Sequence, residues 1–142
     1  MNVLVAACDL TRTGLQLQFC SGNKMIKTKS LFDLVQDSDG TRIIVSGIPS
    51  RYPESSFDEF YPELAPTKKL LYDYKYHGLP WEEYEVQFFQ LMKGHRALRR
   101  IEELAERSKK GEVITLLCFE KSDEKCHRRL LKNLIEELEK QN

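Results

Sequence analysis

The sequence predicts an α/β fold: a small parallel or mixed β-sheet flanked by helices, a three-layer arrangement of the Rossmann-like or flavodoxin-like kind, with room for an N-terminal β-hairpin. Three observations carry this. The segment Glu112 to Phe119, EVITLLCF, is apolar on both faces, as a central strand of a parallel sheet is. The run Ile43, Ile44, Val45 is β-branched and apolar, which suits a second buried strand. Between and after these two strands the apolar residues repeat at helical spacing, and parallel strands need such crossover helices.

In chain order, residues 2 to 8 (NVLVAAC) read as a strand, DLTRTG as a turn, and Leu15 to Phe19 (LQLQF) as a half-exposed strand with alternating polarity. DSDG, Asp37 to Gly40, is a turn ahead of TRIIVSGIP, whose strand is closed by Gly47 and Pro49. The aspartates of that turn resemble a calcium loop, but Ile48 stands where the bidentate Glu is needed, so calcium is set aside. SSFDEFYPEL reads as helical, opened by a serine cap. Thr67 is the expected N-cap of a helix with Leu70, Leu71 and Tyr74 on one face and Gly78 at its stop. Pro80 opens a helix that repeats Trp81, Tyr84, Phe88 and Leu91. After Gly94 comes another, with Ala97, Leu98, Ile101, Leu104 and Ala105 inward and Glu103/Arg107 and Glu106/Lys110 as surface pairs. The last helix follows the EVITLLCF strand, with Asp123 as its expected N-cap. These stripes read as core, and residues 1 to 142 read as one α/β domain.

The formal charge is zero, with 22 basic and 22 acidic side chains, so the whole molecule exerts no general pull on nucleic acid or anionic membrane. The start, MNVLVAACDLTR, lacks a basic lead-in and does not read as a secretory signal, and no later apolar run approaches the roughly 20 residues of a membrane span. The expected location is the cytoplasm. Cys8, Cys20, Cys118 and Cys126 are scattered through a chain with an adequate core, so free thiols are expected.

The chemistry concentrates in LLCFEKSDEKCHRRLL, Leu116 to Leu131. On a helical wheel, Leu130, Leu131, Leu134, Ile135 and Leu138 centre on the direction of His127, which therefore points inward, while Arg128 and Arg129 turn toward water or a neighbouring loop. Cys126 falls in the first helical turn, where unpaired N–H groups and the dipole lower a thiol's pKa. Cys118 closes the preceding strand, at the sheet edge where parallel sheets bind ligands. Four readings stay open: an anion or phosphate site with Arg128 and Arg51; a nucleophilic or redox thiol tuned by His127; zinc on Cys118, Cys126, His127 and a remote ligand such as Cys8; and plain packing. Zinc is disfavoured because neighbouring helical residues diverge by about 100°. No cofactor is expected. In a catalytic reading Cys126 or Cys118 is the nucleophile, His127 the orienter or base, and Arg128 with Arg51 the anion stabilisers.

The other strand ends, CDLTR and SGIPSR, open toward the same edge and add Asp9, Ser50 and Arg51 as ligand-binding candidates; their plain reading is turn chemistry. His77 and His95 sit beside glycines and read as helix-end residues. A reading of another class is a non-catalytic interaction module for nucleic acid or a protein partner, resting on the basic KGHRALRR (Lys93 to Arg100) and the aromatic YDYKY (Tyr72 to Tyr76). Its plain counterpart is a solvated helix face.

Three segments, SDGTRIIVSGIPSR, ELAPTKKLLYDYKYHGLPWEEYEVQFF and EVITLLCFEKSDEKCHRRLLKNLIEEL, resemble in order and spacing the YeaO-like proteins of the domain of unknown function 488 family. The likeness covers residues 38 to 138. It implies a compact α/β domain with a pocket containing Cys118, Cys126, His127 and Arg128, and it supplies no reaction. Family members commonly carry an Asp and an Arg at the end of the IIVSGI strand, where this chain has Ser46 and Ile48; Pro49, Ser50 and Arg51 resemble the Pro-x-Ser-Arg that follows.

Overall fold

The computed structural model describes residues 25–47, 56–122 and 124–141. Among them four strands form one all-parallel sheet: β1 (Ile26–Ser30), β2 (Thr41–Ile44), β3 (Glu59–Phe60) and β4 (Ile114–Cys118). The spatial order is β1-β4-β2-β3, so the last strand is inserted between the first two. The helices are α1 (Lys68–Tyr76), α2 (Trp81–Met92), α3 (His95–Lys109) and α4 (His127–Lys140). The small parallel α/β sheet expected from the sequence is present, and EVITLLCF supplies its fully buried inner strand. The strands and hairpin expected before residue 25 lie outside the described residues.

Register explains the two faces. Ile26, Ile43, Ile114 and Leu116 point one way and join a core completed by Leu70 of α1, Tyr84 and Phe88 of α2, Ile101 and Leu104 of α3, and Leu131 and Ile135 of α4. Ile44 and Leu117 point the other way, against Leu31, Phe57 and Phe60. Among the described residues all four helices therefore contribute to the core on one face, and the second helical layer expected from the sequence is not found.

The second face also holds a buried charge cluster. The Asp39 carboxylate accepts from Lys29 Nζ at 3.0 and 3.1 Å, from the Gln36 N–H at 3.0 Å and from Arg42. Desolvation pushes the Asp39 pKa up, but these donors outweigh it, and the net shift is downward. Next to it Gly40 adopts φ +66°, and a Cβ there would lie 2.2 Å from the Val113 carbonyl oxygen. That carbonyl accepts from Thr41 N–H at 2.9 Å, so the glycine lets β2 start flush against β4.

Two elements differ from expectation. Residues 56–64 form no α-helix: Asp58 and Tyr61 give their N–H groups to Arg42 and Ile44 carbonyls at 2.7 and 2.9 Å, Glu59–Phe60 forms β3, and Pro62–Leu64 makes a 3₁₀ turn. Pairing with β2 satisfies the backbone that the short helix would have satisfied internally. The sequence IKTKS, which lacks an apolar alternation, is strand β1; its lysines bond the Ser38 and Leu34 carbonyls and Asp39. The helix caps follow the sequence more closely. Thr67 Oγ1 accepts from Leu70 N–H at 3.1 Å, Gly78 stands at φ +76° after α1, and Pro80 is the N-cap of α2.

Candidate functional site

β4 carries Cys118 to the carboxyl edge of the sheet, beside the ends of β1 and β2. The chain then loops to α4, which begins later than expected. Its N-cap is Cys126, with extended backbone at φ −135° and ψ 143°, and His127 is the first helical residue; Asp123 lies outside the described residues. The reason against zinc, divergence of Cys126 and His127 on one helix, therefore does not hold. An extended cap turns its side chain independently of the helical wheel, and here it returns beside its neighbour.

His127 is buried, as its place on the wheel predicts. Its Nε2 lies 2.7 Å from the Val45 carbonyl oxygen, an acceptor only, so Nε2 carries a proton and donates it there. In the neutral ring this leaves the Nδ1 lone pair facing two sulfurs, Cys126 Sγ at 3.8 Å and Cys118 Sγ at 4.0 Å. The ligand atoms of all three lie within 4.8 Å of one another. Phe88 packs on the imidazole at 5.7 Å between ring centroids and fixes the plane of the ring.

The two thiols divide their protons unequally. A hydrogen bond from the Cys126 S–H, with the Glu120 N–H and a charged His127 adding to it, outweighs burial and lowers the Cys118 pKa. The neighbouring Cys118 sulfur and burial push Cys126 up. One proton shared by a close buried pair is the simplest description of this state. Tyr84, under the same cavity, is pushed up by burial and by the nearby sulfurs, and stays a neutral hydroxyl.

Of the two directions expected for Arg128, water or a neighbouring loop, the structure takes the loop. Arg128 is 1% exposed and does not face water: Nη1 donates to the Glu120 carbonyl at 2.7 Å and the Cys118 carbonyl at 3.3 Å. Helical side chains lean toward the N-terminus, so an arginine in the first turn reaches past the helix end and braces the β4–α4 loop. Arg129 is exposed, as expected.

Cys118, Cys126 and His127 border a cavity of about 760 Å³. Tyr72, Tyr74 and Tyr84 line it, as do Lys68, Lys75, Lys121 and Lys125 against Glu120 and Glu124. Lys75 bonds Glu120 at 2.6 Å. Ser46 borders the cavity with its hydroxyl buried and without a hydrogen-bond partner among the described residues. Asp9, Ser50 and Arg51 lie outside the described residues. His77 bonds Asp73 at 3.0 Å on the surface and His95 is exposed, and neither borders this cavity.

Nothing in the chain's pattern points to the Val45 carbonyl, a backbone group, and Tyr84 is indistinguishable there from the other core aromatics of α2. The basic segment KGHRALRR lines a separate groove of about 810 Å³, where Arg96, Arg99 and Arg100 stand among Glu63, Glu102, Glu103 and Glu106. Arg100 is bound to Glu63 and Glu103 and lies 4.1 Å over the Tyr61 ring, so this is a mixed-charge surface.

No helix among the described residues is long and apolar enough to cross a membrane. No curated protein and no solved structure matches the chain. A family model does match, over residues 26–139: DUF488-N3a, described as the active DUF488-N3 subclade. That span runs from the first residue of β1 nearly to the end of α4 and contains the whole Cys118–Cys126–His127 group. The chain belongs to the DUF488 family.

Proposed function

We propose that the protein binds a phosphate-bearing or similar anionic ligand in the cavity at the carboxyl edge of its sheet and uses its paired thiols in chemistry on that ligand. The observation that carries this reading is the orientation of His127. With Nε2 committed to Val45, the other nitrogen faces the two sulfurs and can take a proton from either. Cys118, which receives the Cys126 hydrogen bond, is the nucleophile; Cys126 is the proton-bearing partner; Arg128 positions the loop between them. The active label of the matched subclade accords with catalysis.

The anionic preference rests on charge. Four lysines border the cavity against two glutamates among the described residues, and the positive end of α4 opens at Cys126. The Ser46 hydroxyl, without a partner among the described residues, offers a place for one further hydrogen-bonding group.

The test is alkylation (carbamidomethylation) of the chelator-treated, reduced chain by iodoacetamide near pH 6, followed residue by residue by mass spectrometry. Cys118 or Cys126 is modified ahead of Cys8 and Cys20, inorganic phosphate slows that modification, and His127→Ala removes the preference. Equal, slow labelling of all four cysteines sinks the proposal.

A further inference from the structure

We infer that Cys118, Cys126 and His127 also form a three-ligand site for a thiophilic divalent cation of the zinc class, with the fourth coordination position open to the cavity. This goes beyond the thiol reading and does not depend on it.

With metal–sulfur and metal–nitrogen bonds of about 2.3 and 2.0–2.1 Å, a tetrahedral ion holds a sulfur and a nitrogen ligand about 3.6 Å apart and two sulfurs about 3.8 Å apart. The two sulfur-to-Nδ1 separations are 3.8 and 4.0 Å, and no pair of the three ligand atoms exceeds 4.8 Å. Shifts of a few tenths of an ångström in the sulfur-to-nitrogen pairs reach the coordination distances, and side-chain rotation supplies shifts of that size.

The ring is also set in the manner of a metal ligand. A ligating imidazole donates its second N–H to a carbonyl or carboxylate, which fixes the tautomer and aims the other lone pair at the ion. Val45, the residue after β2, supplies that carbonyl at 2.7 Å from 82 positions away in sequence. A histidine serving only as packing needs one such bond and gives no reason for its remaining nitrogen to face two sulfurs. Two thiolates neutralise a divalent ion, so the loaded centre carries no net charge into a buried place. Three protein ligands with one open position is the arrangement of catalytic rather than structural zinc. An anion entering the cavity would meet the ion, and neither sulfur would then be free to attack.

The test uses the full chain, reduced and stripped with a chelator, titrated with Co²⁺ in the absence of oxygen. The expected result is a single ion per chain with the visible absorption of tetrahedral, thiolate-bound cobalt, displaced by Zn²⁺. The Cys8→Ser/Cys20→Ser double variant keeps this absorption, and Cys118→Ser, Cys126→Ser and His127→Ala each weaken binding by about tenfold or more. Absence of the tetrahedral absorption, or its persistence in Cys118→Ser, overturns the proposal. The wild-type chain gives a second measurement that does not depend on variants folding: one equivalent of Zn²⁺ should slow iodoacetamide alkylation of Cys118 and Cys126 at least about tenfold, and unchanged rates overturn the site. The two readings separate cleanly. Preferential alkylation of the stripped protein without cobalt binding leaves the thiol site and removes the metal, while cobalt binding with equal, slow alkylation does the reverse.

Discussion

Replacing Arg107 by Met tests the ion cluster that ties the end of α3 to the sheet. Its guanidinium bonds Glu59 through Nη1 and Nη2 at 3.0 and 2.8 Å, and Glu112 through Nε and Nη2 at 2.9 and 2.5 Å. It also reaches Glu103 at 3.3 Å and the Tyr61 hydroxyl at 3.1 Å. Glu59 belongs to β3 and Glu112 lies two residues before β4, so one side chain clamps both strands. Without it three carboxylates face one another. The bond from Arg107, aided by Thr41, holds the Glu112 carboxyl down from the usual 4.5 to about 2. That fall corresponds to at most about 3.4 kcal/mol. Glu112 is a third exposed, and solvent screening reduces the figure to about 2 kcal/mol.

The pH dependence has a fixed sign. A carboxyl whose folded pKa lies below its unfolded value contributes its full stabilisation above pH 4.5 and loses it as the pH falls through about 2. Arg107→Met therefore costs roughly 2–3 kcal/mol at pH 7, and the gap to wild type shrinks to under half by pH 3. Urea unfolding at pH 7, 5 and 3, with the slope m unchanged, measures it. A cost below about 0.5 kcal/mol at pH 7, or a gap that does not narrow in acid, would show that the cluster is surface decoration.

Two further substitutions probe the frame of the site. Gly40→Ala meets both a positive φ and the Val113 carbonyl oxygen at 2.2 Å, so it should cost more than about 2 kcal/mol in chemical denaturation; a smaller effect would mean that β2 can start elsewhere. Phe88→Ala removes a fully buried ring that rests on His127 and should cost about 3–5 kcal/mol, lowering Tm by roughly 10 °C while weakening any alkylation preference at Cys118 and Cys126. Circular dichroism melting and mass spectrometry read the two effects, and an unchanged alkylation pattern would show that the imidazole is held by Val45 alone.

The sequence by itself determined the elements whose signal is local. EVITLLCF is covered on both faces and had to be an inner strand; the stripes of α2, α3 and α4 had to face a core; the inward direction of His127 followed from its angle to Leu131 and Ile135. These are properties of chain period, which a residue and its near neighbours fix. Strands β1 and β3 escaped because pairing with distant residues, not their own composition, makes them strands. The tertiary structure alone decided the chemistry. It turned Cys126 out of the helix, folded Arg128 back onto the Glu120 carbonyl, and brought the Val45 carbonyl 2.7 Å from a ring 82 positions later. Side-chain direction at a helix end depends on what the rest of the chain places there, and no periodicity encodes it.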